Sequence, residues 1–151
     1  MLTIDSPADV AKHVGQTLGP TDWVTIDQTM IDRFAEATGD HQWIHVDVER
    51  AKHEMPGGKT IAHGYLTLSL IPRLTQMLYH FKHRTRGINY GSNKVRFTSP
   101  VPAGARVRMR LTFKAVEPIE GGVRITSECV IEIEGQTRPA LVAEVMGLSY
   151  A

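Results

Sequence analysis

Asp40 and His45, five positions apart in TGDHQWIH (38–45), are the residues of this chain best suited to moving a proton. An ionised carboxylate only accepts hydrogen bonds, whereas an imidazole both holds and releases a proton near neutral pH. If the chain bends between them, the two groups converge on one water or one substrate proton, taking a proton from water and delivering one to carbon or oxygen. Positioned groups of this kind contribute about 100- to 10,000-fold each. Taken alone, the pair fits a turn equally well: an Asp after a helix-ending Gly caps turns, and His45 before Val46 is also the pattern of a half-buried side chain.

A second stretch, IAHGYL (61–66), stands at the start of an apolar helical pattern. First-turn N–H groups have no partner within a helix and lie at its positive end, so the Gly64 N–H is a candidate donor to an oxygen that gains negative charge in a transition state. Lacking a side chain, Gly64 also lets a ligand approach closely. The alternative is that Gly64 only relieves crowding where the helix meets a sheet.

The elements that must hold these residues follow from periodicity and caps. Ser6 and Pro7 open a short amphipathic helix with Val10, Val14 and Leu18 at four-residue spacing, closed by Gly19. DWVTID reads as a β-segment. Asp27 caps a helix carrying Met30, Ile31 and Phe34 and stopped by Gly39, which leaves Asp40 in the loop beyond it. Asp47 caps a further short helix, VERAKHE, followed by a loop, MPGGK. The longest helical pattern runs from Ala62 to about His83, with Leu66, Leu70, Leu74, Met77, Leu78 and Phe81 on one side and Pro72 as a kink or local break. Four strand candidates follow, within residues 87–101, 105–119, 121–135 and 138–150, with hairpin signals at Gly121-Gly122 and Gly135. Helices first and antiparallel strands afterwards predict an α+β fold in which one long helix packs on one face of a sheet.

Length and composition narrow the class. With 151 residues, 42% hydrophobic and 22% charged, the chain fits one globular domain spanning 1–151. A net charge of +1 offers no general attraction for nucleic acid or a membrane surface. The first residues lack an uninterrupted apolar stretch and GLSYA is no retention signal, so a cytoplasmic address is expected. The single cysteine, Cys129, reads as a core or strand residue.

FAEATGDHQWIHVDVERA (34–51) resembles the hydratase signature of the MaoC-like dehydratases, the (R)-specific enoyl-CoA hydratases of the hydratase 2 type, through Phe34, Gly39, Asp40, Ile44, His45 and Ala51. Gln42 stands where the family usually has Asn, Trp43 where it has Pro, and Ala37 is smaller than the customary aliphatic residue. IAHGYLTLSLI is similar to the family's His-Gly segment and NYGSNKVRFTSPVPAGARVRM to the strands after it; the WIHVDVERA stretch is closest to NodN-like members. The resemblance implies a hot-dog fold, a long central helix wrapped by a curved antiparallel β-sheet. It implies that Asp40 and His45 add water reversibly to the β-carbon of a trans-2-enoyl-CoA, or an acyl carrier protein thioester, giving an (R)-3-hydroxyacyl product. It further implies that the Gly64 N–H holds the thioester carbonyl, that Gln42, His63 and Tyr65 meet the substrate, that no cofactor is needed, and that the protein is a homodimer.

Competing readings remain at this level. A metal site is conceivable at His41 and His45 or at His80 and His83, but a zinc site needs a third ligand and a helix through 41–45, and the Gly-Asp before them reads as a loop; no metal is expected. His80, Lys82, His83, Arg84 and Arg86 form a basic cluster at the expected helix end, either solvated or facing coenzyme A phosphates. A hot-dog thioesterase would cleave the same kind of thioester, and a non-catalytic acyl-thioester binding subunit would keep the fold without the chemistry. An uncovered sheet edge independently favours a dimer.

Overall fold

The computed structural model describes residues 1–151. In chain order it has β1 (Leu2–Ile4), a 3-10 segment (Pro7–His13), β2 (Thr17–Leu18), β3 (Val24–Ile26), α1 (Gln28–Thr38), α2 (Trp43–Val46) and α3 (Val48–Glu54). A 3-10 turn (Pro56–Gly58), α4 (Gly64–Ser69), α5 (Ile71–Thr75), β4 (Tyr79–Phe81), β5 (Arg86–Phe97), β6 (Ala105–Ile119), β7 (Gly122–Ile133) and β8 (Leu141–Tyr150) complete it. The main sheet is antiparallel and open, in the order β2-β6-β7-β8-β5, with β3 also on β6.

Strand alternation sorts the two faces of this sheet. Along β6, Val107, Met109, Leu111 and Phe113 are buried and the intervening arginines face outward. They meet β7 in a register that sets Arg108 opposite Glu132, whose carboxylate accepts from Arg108 Nε and Arg110 Nε at 2.8 Å each. The inner face joins Leu66, Leu70, Ile71, Leu74 and Leu78 in one continuous apolar cluster with Met109, Leu111, Phe113, Ile131 and Leu141. Burial of this helix stripe against the strands, at about 25 cal/mol per Å² of apolar area, is what fixes the helix on the sheet. Cys129 lies in that cluster, and burial pushes its thiol up to about 12, so it is a packing residue.

Two expected helices are shorter than their patterns. The first is a 3-10 segment ending at His13; Gly15 takes φ +91°, and Leu18 joins β2 instead of a helix face. Gly19 beyond it packs so closely that a Cβ would stand 2.7 Å from the Met109 carbonyl oxygen. The central helix is α4 followed by α5, with Leu70 in right-handed helical conformation between them and Pro72 in the first turn of α5, where its missing N–H costs nothing. It stops at Thr75, not His83. Leu78 keeps the helical spacing and is buried, but Tyr79–Phe81 leave as a strand that pairs in parallel with Leu2–Ile4. The basic cluster therefore sits on and after β4, not at a helix end: Lys82 lies 3.5 Å from Asp5, Arg84 covers the Phe81 ring and Arg86 the Tyr150 ring.

Candidate active site

Three caps build the loop that carries Asp40 and His45. Asp27 accepts from the Met30 N–H at 2.8 Å to start α1, and Gly39, at φ +79°, ends it with its N–H on the Ala35 carbonyl. A left-handed C-cap is cheapest for glycine, which is why Asp40 emerges there into an exposed loop. Asp47 accepts from the Arg50 N–H at 3.0 Å and starts α3. Between these caps α2 presents His45 inward, 7% exposed.

His45 is held from several directions. Its Nδ1 lies 2.7 Å from the Ile61 carbonyl oxygen. A carbonyl only accepts, so Nδ1 carries the hydrogen and Nε2 keeps the lone pair. The Ile61 N–H in turn donates to the Ile44 carbonyl, and Ile61 bridges to Pro102. The His45 carbonyl accepts from Gln28 Nε2 at 2.8 Å, and the Gln28 amide oxygen accepts from Thr60 Oγ1.

Asp40, His45 and His63 come together, one possible ligand atom of each lying within 4.8 Å of the others. The imidazoles of His45 and His63 stack with centroids 3.9 Å apart and planes 24° from parallel. That stack opposes a shared metal ion: lone pairs lie in their ring planes, and two near-parallel planes this far apart offer no common point at the ~2.1 Å distance that nitrogen ligation needs. His41 is exposed and outside the cluster; His80 instead contacts Thr3 and Met1.

Gly64 follows directly. Its N–H has no hydrogen-bond partner in the protein, while the His63 carbonyl accepts from Leu66 and Thr67. A cavity of about 310 Å³ is lined by His45, Ile61, Ala62, Gly64, Thr67 and Phe97 among others, so the imidazole and this donor share one space. Asp40 stands outside that lining, at the exposed side of the cluster.

The remaining sequence candidates fall differently. Gln42 is exposed and its side chain is unpaired; its N–H approaches Asp40 Oδ1 at 3.4 Å. Tyr65 is 67% exposed and meets Phe97 edge-on at 5.7 Å. His63 is only 2% exposed, covered by His45 on one side and Phe34 at 4.8 Å, so the expected substrate contact is replaced by a buried one. Leu66, Leu70 and Leu74 belong to the core, and a cleft of about 690 Å³ runs past Leu68, Ile71 and Thr75 to β5 and β8. Sequence reading missed Gln28, Thr60 and the Ile61 carbonyl. Gln28 follows a recognisable cap, but nothing in its spacing ties it to residue 45 or 60.

The MaoC-like domain family matches residues 9–132. The 3-hydroxyacyl-thioester dehydratase Z of Mycobacterium tuberculosis is 51% identical over 145 residues, 95% of each chain. Nodulation protein N of Rhizobium leguminosarum bv. viciae is 48% identical over 140 residues, 91% of this chain and 87% of its own. Among solved structures, an R-hydratase of Pseudomonas aeruginosa superposes with a TM-score of 0.69 at 22% identity, over 97% of this chain and 90% of the other, a likeness of fold.

Proposed function

This chain belongs to the MaoC-like family, and from that premise we propose that it is a hydro-lyase acting on acyl thioesters, a 3-hydroxyacyl-thioester dehydratase that also runs as an enoyl-thioester hydratase. The observation that carries the reading is the meeting of Asp40 with His45, whose Nε2 lone pair is left free because Nδ1 is committed to Ile61. In hydration, a water between the two groups gives up a proton to the pair as its oxygen bonds to the β-carbon of a trans-2-enoyl thioester. Electron density moves onto the thioester carbonyl, which becomes enolate-like, and the pair returns a proton to the α-carbon. Dehydration is the same path reversed, and the proton count balances in both directions.

The Gly64 N–H is the donor to the carbonyl oxygen as charge develops, a contact worth on the order of 3 kcal/mol in comparable sites. The alcohol formed has the (R) configuration, as the hydratase signature at 34–51 implies. Gln42 and Tyr65, both exposed, meet the thioester arm of the substrate, supplied as a coenzyme A or acyl carrier protein ester. The protein works as a homodimer joined at the free edge of β5, of which nearly every residue is exposed.

The reading is tested by following enoyl absorbance and free thiol together on addition of crotonyl-CoA and longer trans-2-enoyl-CoAs. Absorbance falls without thiol release in the wild type, and Asp40→Asn and His45→Gln each lose at least about 100-fold in rate while remaining folded. Thiol release would make the protein a thioesterase, and inertness at every chain length would leave a binding subunit.

A further inference from the structure

We infer that His63 is the positioning residue of this site, setting the main chain of Asp40, the ring of His45 and the peptide of Gly64 together; the inference rests on the acid–base reading of Asp40 and His45. Its Nε2 lies 3.0 Å from the Asp40 carbonyl oxygen, so Nε2–H donates and Nδ1 keeps the lone pair. This is the shortest hydrogen bond that Asp40 makes, its other two being 3.4 Å contacts, its N–H to Thr38 Oγ1 and Gln42 N–H to its Oδ1. The same ring forms the floor on which His45 stacks.

The third connection is through the backbone. The His63 carbonyl points into the first turn of α4, where it accepts from Leu66 N–H at 3.1 Å and Thr67 N–H at 3.2 Å. Across a trans peptide the N–H points opposite to the carbonyl, which turns the Gly64 donor away from the helix. One buried residue thus links all three groups of the proposed reaction.

Packing alone does not require an imidazole here. A phenyl ring would fill the same slot between Phe34 and His45 and would not bury Nδ1 without a partner, as His63 does. What the imidazole adds is the hydrogen bond to Asp40. Because His63 is 2% exposed and covered by those two rings, it acts through its neighbours and not on the substrate.

The test is steady-state hydration of crotonyl-CoA and trans-2-octenoyl-CoA by wild type, His63→Phe, His63→Gln, His63→Asn, Asp40→Asn and the double variant Asp40→Asn/His63→Phe, each with its thermal unfolding curve. His63→Phe keeps the stack and loses the donor, so kcat falls about 10- to 100-fold with little change in KM. His63→Gln, whose amide reaches the Nε2 position, recovers part of that loss; His63→Asn, which does not reach, recovers none. In the double variant, removing the tether costs less than about twofold beyond Asp40→Asn alone, because the carboxylate it positions is already gone. Unchanged kcat in His63→Phe, a loss expressed in KM, equal rates for Gln and Asn, or an additive double variant would each overturn the inference. Full activity in Asp40→Asn would overturn the parent reading and this one with it; an inactive Asp40→Asn beside a fully active His63→Phe would overturn this one alone.

Discussion

The carbonyl of Ile61 decides which nitrogen of His45 carries its hydrogen, and with it which nitrogen keeps the lone pair. That partner comes from sixteen residues away and from the main chain, so no side-chain motif announces it. Asp40 and His45 were legible because their residue types and spacing are unusual together; the clamp of Gln28 and Thr60 on the His45 carbonyl was not, since it depends on how α1 meets the strap at 60–62. Gly64 offers the sharpest test at this scale. A Cβ there would lie 3.0 Å from the Phe97 ring and beside the N–H proposed to hold the thioester carbonyl. Phe97 is 46% exposed and can give way, so Gly64→Ala is expected to fold normally in thermal unfolding yet lose at least about tenfold in kcat.

Among the elements, the caps were the best guides. Asp27, Gly39 and Asp47 end or start helices where their chemistry predicts, because a cap is a local hydrogen bond needing no distant partner. Asp47→Ala is expected to cost about 1 kcal/mol in urea unfolding and to loosen the α2–α3 junction beside His45. The strand boundaries on β6 and β7 were equally readable from alternation. The central helix was overextended because Leu74 and Leu78 keep helical spacing to the end, whereas the pairing of Tyr79–Phe81 with β1 is a long-range contact that overrides local propensity. On the outer face of β6 and β7, hydrogen bonds from Arg110 and then Arg108 hold the Glu132 carboxyl below its ordinary 4.5. A depressed native value means stability that is present above about pH 4.5 and lost as pH falls through the lower folded value. Glu132→Gln should therefore be less stable than wild type in urea at pH 7, with the gap narrowing at pH 3.

For the whole molecule, the unfinished feature is β5, paired with β8 on one side and free on the other. It exposes Ile88 at 47% and Tyr90 at 55%, an apolar edge of the kind that β-proteins otherwise blunt or cover. No helix is long and apolar enough to cross a membrane. A second copy at this edge is the expected cover, so sedimentation should give twice the 16.8 kDa chain mass, and Ile88→Lys with Tyr90→Lys should shift it toward one chain. A monomer at all concentrations would remove the homodimer from the account.

The most direct measurement is dehydration of the two enantiomers of 3-hydroxybutyryl-CoA, followed by the appearance of enoyl absorbance with wild type and Asp40→Asn. The (R)-thioester alone is expected to be converted, and Asp40→Asn is expected to lose at least about 100-fold in rate without unfolding. Conversion of the (S)-thioester, or full activity in Asp40→Asn, would contradict the proposed reaction.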